Sequence, residues 1–382
     1  MVACQESTDT EMSQADTPSV SVIIPVYNGA AFVELTILSA SRQTHENLEI
    51  IVVDDGSTDA TPDILRELAS RMDNLRVITI PNGGVANARN VGTRASAADY
   101  VAYLDADDLW HPTKIARQVA ALERHKGDPD WAACYALFRT INTHGEVRGD
   151  GLVHDARGAI FPSHLVVNHV GNGSSLLVRR EAALEVGGFD PSYAQNGIGG
   201  CEDRDFQLRL LRRYKMEVVR EYLVGYRIYA GNMSSNRYAM SLGGNAVVEK
   251  FMADPRISRE IRKLALATTY SNAVIRLSRG LHLRDAGAIL GKAMIETPLA
   301  FFRIMLTRLG QFLEVAKKRI KTRLGLLPKP GQGDLRMFED YDPTEAIAEG
   351  APYAPSYRPV LDRNDAAYER RLSQVTPLPT PA

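Results

Sequence analysis

The chain has 382 residues, enough for two domains or one large domain with appendages, and its 45% hydrophobic content suits a buried core. A formal net charge of -1 argues against wholesale coating of nucleic acid, although the charge is uneven: from Arg256 to Lys329 there are 16 Lys and Arg against 4 Asp and Glu. The 3 cysteines, Cys4, Cys134 and Cys201, are scattered without C-x-x-C spacing, which points to neither a disulfide framework nor a zinc site and fits a reducing cytoplasm.

Residues 1–18 are polar, with no basic start and no apolar stretch, and are expected to be a disordered tail; no signal peptide is expected there, and with no run of about 18 apolar residues anywhere, no transmembrane helix. "SVSVIIPVYN" reads as a strand ending at Asn28-Gly29, and "AAFVELTILSASRQ" follows with Phe32, Leu35, Ile37 and Leu38 at helical spacing. "LEIIVVDDGSTD" is a second buried strand closed by Asp54, Asp55 and Gly56; "TPDILRELASRM" is a helix with Asp59 or Thr61 as N-cap and Pro62 in its first turn. "LRVITIPN", "GVANARNVGTRAS" and "DYVAYLDADD" continue the pattern as strand, helix and strand. Such alternation implies an α/β fold with a mostly parallel sheet flanked by helices, whose ligands sit at the carboxyl ends of the strands. Beyond Trp131 come shorter strands, a loop-rich stretch, the helix "CEDRDFQLRLLRRY" and two short apolar segments near Met216 to Val219 and Tyr222 to Ile228. The expected organisation is a tail over 1–18, an α/β domain over 19–245, a basic all-helical extension over 246–327 and a Pro-rich flexible tail, with room for one short helix, over 328–382.

"YVAYLDADDLW", Tyr100 to Trp110, sets three carboxylates within four positions at the end of a buried strand. Strand alternation would put Asp105 and Asp107 on the same side, where two like charges call for a cation. A bland alternative is a solvated acidic turn that caps the helix beginning near His111 and Pro112.

"SVIIPVYNG", "IIVVDDGSTD", "NGGVANARNVG", "YLDADD", "GGFD" and "CEDRDFQLRL", in that order from about Ser19 to Tyr229, together resemble the family 2 inverting glycosyltransferases with the GT-A fold. The resemblance implies transfer of a sugar from a nucleotide diphosphate, by default a UDP-sugar, to a hydroxyl of a glycan or lipid-linked glycan, in cell-surface polysaccharide biosynthesis. It implies Asp107 as ligand of a divalent metal, Mn2+ or Mg2+, with Asp105 against the ribose or the metal's water shell. Pro25 and Tyr27 would lie at the nucleobase, Tyr27 either stacking on it or merely covering the sheet edge, and Asp55 would accept from the base N–H. Arg89 would either reach the diphosphate or pair with an aspartate of the acidic pocket. Asp203, in the E-D pair opening the late helix, would be the base that deprotonates the acceptor. One departure stands out: where many relatives carry a histidine as a further metal ligand, this chain has Tyr229.

The segment "TPLAFFRIMLTRLGQFLEVAKKRIKTRLGLL" mixes apolar residues with Arg303, Arg308, Lys317, Lys318, Arg319, Lys321 and Arg323. It reads either as a helix pair packed on the protein or as a basic amphipathic helix on an anionic membrane. The expected location is accordingly cytoplasmic, at the inner membrane face in the second case, with no nucleic-acid partner. Two other functions fit parts of the sequence: a binding protein of the same fold without catalysis, and a receiver-like signalling module built on "IIVVDDGS", for which "VITIPN" offers no further aspartate or lysine.

Overall fold

The computed structural model describes residues 17–151, 153–323, 336–344 and 357–372. The expected N-terminal tail up to residue 16, Cys4 within it, and the remainder of the Pro-rich segment lie outside these residues. In chain order β1 (Val20–Val26), α1 (Val33–Ser41), β2 (Leu48–Asp54), α2 (Thr61–Ala69), β3 (Leu75–Thr79), α3 (Val85–Ala95) and β4 (Tyr100–Tyr103) alternate. The short β5 (Leu109–Trp110), α4 (Lys114–Glu123), β6 (Trp131–Ile141), β7 (Val147–Asp150), α5 (Phe161–Val166), β8 (Leu176–Arg179), α6 (Arg180–Glu185), α7 (Ser192–Gln195), α8 (Glu202–Leu211) and β9 (Lys215–Arg227) follow. The helices α9 (Arg237–Lys250), α10 (Arg259–Arg279), α11 (Leu283–Glu296), α12 (Pro298–Arg323) and α13 (Arg358–Leu372) complete the described chain.

The strands form one sheet in the order β3-β2-β1-β4-β8-β6-β9-β5, with β7 pairing with the end of β6 off this path. From β3 to β4 all pairs are parallel, as helical crossovers require; β8 enters antiparallel between β4 and β6, and β6 and β9 are again parallel. Successive β-branched residues point to opposite faces, so Ile23, Ile51, Val53 and Val101 fall in one apolar core and Val22, Ile24, Ile50 and Val52 in the other. Helices α1, α2 and α4 cover the second face; α3, α5, α6 and α8 cover the first. The two apolar segments expected after α8 are a single 13-residue strand, β9, whose pairing with β6 shifts register around Ala136 and Leu137.

Pro25 shapes the working end of this sheet. It has no N–H to offer, and pairing of β1 with β4 stops at Ile23 while pairing with β2 continues to Val26 and Asp54. β1 and β4 therefore diverge at their carboxyl ends, the side on which the acidic residues lie.

The helical extension shares the first core with the sheet: Val247, Phe251, Ile261, Tyr270, Phe301 and Ile304 lie in the same apolar cluster as Ile23 and Phe206. Parts of 328–382 are packed as well. Tyr368 of α13 is buried, and its hydroxyl donates to the Arg212 carbonyl at 2.9 Å. Phe338 fills a small cluster with Leu109, Ile141 and Val147, and the Arg139 guanidinium lies over the rings of both Tyr222 and Tyr341. Cys134 and Cys201 are both free and buried.

Candidate active site

The turn after β4 begins at Leu104, one residue past the strand, so strand alternation does not place Asp105 and Asp107. A tight turn does: the Asp108 N–H donates to the Asp105 carbonyl at 3.0 Å. Ser174, in the "GNGSS" loop, braces it. Its hydroxyl oxygen accepts the Asp105 N–H at 3.0 Å, and the hydroxyl donates to the Asp108 carboxylate at 2.6 Å. Arg227, buried at the end of β9, donates its backbone N–H to Asp108 and its Nε to the Asp107 carbonyl, at 2.8 and 2.6 Å.

The three carboxylates thus have different duties. Asp108 is wholly buried and held by Ser174 and the Arg227 N–H; burial and the neighbouring charges of Asp107 and Asp105 push its carboxyl well above the usual range. Asp105 pairs with Arg89 at 2.5 Å. Asp107 forms no ion pair among the described residues; burial, and then the charge of Asp105, push it up to about 6 against the pull of a hydrogen bond from the Tyr229 hydroxyl. Tyr229, at the position where many relatives carry a histidine, is itself held against Phe32, ring centroids 5.1 Å apart.

A divalent cation of the hard-oxygen type asks for one protein carboxylate with phosphates and waters as its other ligands. Asp107, desolvated beside a like charge and lacking a cation, fits that demand. Among the described residues no group of three His, Cys, Asp or Glu is placed to hold a metal alone, so the substrate's oxygens would have to complete the shell.

Arg89 is buried in α3 and joins two parts of the site. One arm meets Asp105 and the other Glu202 at 3.1 Å, so the structure has it paired with acids. Gly173 runs against this pair: a Cβ there would lie 3.1 Å from the Arg89 guanidinium and 3.5 Å from the Asp105 carboxylate. Helix α8 starts at Glu202, and its acids complement the dipole, yet they too are distinguished by their partners. Glu202 takes Arg89 and the Gly200 N–H, while buried Asp205 takes Arg209, Lys250 and the Tyr193 hydroxyl. Asp203, partly exposed between them, forms no ion pair among the described residues. Burial, and then the charge of Glu202, push its carboxyl up to about 7, opposed by the pull of Arg89, with Asp105 adding to the rise. The charge of Asp105 thus raises both Asp107 and Asp203.

Around the first two strands, Asp54 accepts the Ser57 N–H at 3.0 Å and shapes the turn, while Asp55 accepts the N–H groups of Gly83 and Gly84, both at 2.8 Å. This commits the acid pair to loop geometry, as a receiver's phospho-acceptor pocket would not. Pro25 is buried inside β1, whereas Tyr27 is 53% exposed and its ring is open to stacking. Asp59 accepts the N–H groups of Thr61 and Ala30, joining the start of α2 to the loop after β1. The sequence points to Asp107, Asp203, Asp55 and Tyr27, and to "GNGSS", Gly171 to Ser175, only as a loop of small residues close to a sugar or a turn into the next strand; it assigns no role to the Ser174 hydroxyl, to Arg227 or to Glu202 as a partner of Arg89. The signal available for Arg227 was a long cation inside an apolar run, where burial demands acceptors.

The family model for glycosyl transferase family 2 matches residues 21–154. An uncharacterised glycosyltransferase of Rickettsia typhi is 43% identical over 219 residues, covering 56% of this chain and 65% of that protein. One of Rickettsia prowazekii is 30% identical over 225 residues, covering 57% of this chain and 67% of that protein. With 32% of a Rickettsia felis relative and 31% of a Rickettsia conorii relative covered, the chain spans from about a third to two-thirds of the length of these curated relatives. Among solved structures, a mannosyltransferase from Pyrobaculum calidifontis in complex with GDP-Man and Mn2+ shares the fold, with a TM-score of 0.52 at 20% identity over 81% of this chain and 84% of that one. With the motifs gathered at the carboxyl ends of a GT-A sheet and a relative matched over two-thirds of its length, the chain belongs to glycosyltransferase family 2.

Proposed function

We propose that the chain is an inverting glycosyltransferase that moves a sugar from a nucleotide-diphosphate donor to a hydroxyl of a glycan or lipid-linked glycan, in the building of a cell-surface polysaccharide, with Asp203 as the base. The observation that carries this reading is the contrast within one helical turn: Glu202 and Asp205 are each tied to cations, while Asp203 has none among the described residues and is pushed up to about 7. A carboxylate with a pKa near the working pH is present as base and strong enough to accept a proton.

The acceptor oxygen attacks the anomeric carbon from the face opposite the diphosphate; as that bond forms, the bond to the diphosphate oxygen breaks and the acceptor's proton passes to Asp203. On the donor side Tyr27 stacks on the base, Pro25 sets the divergence of the strands beside it, and Asp55 holds the 83–84 loop while its free lone pairs meet the base N–H. Asp105 faces the ribose. Arg89 holds Asp105 and Glu202 at a fixed separation, tying the donor side to the base side. Asp107 is the residue that would hold Mn2+ or Mg2+, which when bound neutralises charge on the departing diphosphate.

The test joins a thermal-shift panel of UDP-sugars and GDP-mannose, with and without Mn2+, to turnover of Asp203→Asn. The expected result is that one donor raises the melting temperature of wild type and variant alike. Turnover of the variant should fall by about 10²-fold or more, and wild-type kcat should climb with pH through a limb near 7 as Asp203 ionises. A folded protein that no donor stabilises, or a variant that turns over like wild type, would overturn the reading.

A further inference from the structure

Helix α12 carries an apolar stripe that no described residue covers. Leu299, Phe302, Leu306, Leu309, Leu313 and Ile320 recur at spacings of three, four and seven, which places them along one side of the helix, and they are 49% to 82% exposed. Phe301 and Ile304, on another side, are buried in the core shared with the sheet, so the helix is anchored to the protein at its start. From Leu299 to Ile320 the stripe runs 22 residues, about 32 Å. A contiguous exposed apolar surface of that length is unusual for a soluble protein that meets no partner.

Exposed Arg303 and Lys317, four turns apart, border the stripe on one flank. Over its whole length α12 has 7 Lys and Arg, five of them from Lys317 onward, against the single acid Glu314. This imbalance selects the occupant. Pairing of the stripe with a second copy would set two strongly basic helices side by side with almost no acid to answer them. Anionic headgroups supply both the missing negative charge and an apolar boundary. Seven cations also keep the helix from spanning a bilayer, and among the described residues no helix is long and apolar enough to cross one.

We propose that α12 is the face by which the protein lies on an anionic lipid bilayer, with Leu299, Phe302, Leu306, Leu309 and Leu313 at the acyl boundary and the flanking bases at the lipid phosphates. The proposal is independent of the role of Asp203.

The experiment is co-sedimentation of the full chain with vesicles of mixed phosphatidylglycerol and phosphatidylcholine, and with pure phosphatidylcholine, beside sedimentation velocity without lipid. Wild type should pellet with the anionic vesicles and not the neutral ones, and added salt should weaken the binding. Phe302→Ser combined with Leu309→Ser should lower the partition coefficient about tenfold or more at an unchanged melting temperature, because both side chains are exposed in the free protein. Absence of binding to anionic vesicles, or equal binding of wild type and the double variant, would overturn the proposal. So would a lipid-free dimer that the same variant dissociates, which would assign the stripe to a second copy.

Discussion

Asp105, Asp107 and Asp108 are interchangeable letters in the sequence, and their partners divide them into an acid held by Arg89, an acid without a cation among the described residues, and a structural brace. The pair Asp54 and Asp55 is divided in the same way, with Asp55 holding two amides of the loop that precedes α3. Asp55→Ala should therefore loosen that loop as well as weaken nucleotide binding. Two amides lose a charged acceptor, and since Gly83 is exposed and Gly84 half-buried, water replaces part of it. A loss of about 1–2 kcal/mol in urea unfolding is expected, together with a smaller thermal shift by the donor that stabilises wild type. Unchanged stability would mean that the loop does not depend on the carboxylate.

At the scale of elements, strand and helix periodicity was legible from β1 to β4 because β1, β2 and β4 are apolar runs largely buried on both faces and a helix such as α2 shows one apolar side. Two boundaries were not. β4 stops at Tyr103, so the turn that carries the acids is built by Ser174 and Arg227 from remote parts of the chain rather than by the strand itself. β9 runs on through polar Arg220 and Glu221, which have no partner in β6, because β6 pairs with it on either side of them, and pairing partners are invisible to local periodicity. The packing of α3 on the sheet rests on Gly92, where an added Cβ would press into the side chain of Ile23 and approach Val53 to 3.3 Å. Gly92→Ala should cost about 1–3 kcal/mol by overpacking, despite alanine's better helix propensity, and should lower activity by shifting Arg89. A variant as stable as wild type would show that α3 can move away freely.

For the whole molecule, the C-terminal helix α13 is part of the body of the protein. Its Arg358 pairs with Asp155 at 2.8 Å, and its Asp365 accepts the Ser163 N–H at 2.9 Å. Burial pushes the Asp365 carboxyl up to about 7, so the folded state binds a proton that the unfolded chain releases near the ordinary carboxylate value. Protonation of Asp365 therefore favours folding at low pH, and the benefit is lost as pH rises toward 7. Nearby His154 and His164 act in the opposite sense: burial lowers them to about 4 and about 3, so stability falls as pH drops below the ordinary histidine value. Asp365→Asn keeps an oxygen for the Ser163 N–H and removes the buried charge. It should be more stable than wild type by about 2 kcal/mol at pH 8, with the difference vanishing near pH 4, as read from denaturant midpoints at the two pH values. A constant difference across that range would mean that Asp365 titrates normally.

By itself the sequence determined the alternation of elements, the family, and which acids were candidates, because hydrophobic period and motif order are local properties of the chain. Only the tertiary structure decided that Asp203 is the acid of its helix turn without a cation among the described residues, that Arg89 meets Glu202 across 113 positions and joins it to Asp105, and that α13 packs against α5 in the core shared with the sheet. Those facts depend on which distant charges and surfaces meet, and the charge on a buried carboxylate is set by its neighbours in space rather than its neighbours along the chain.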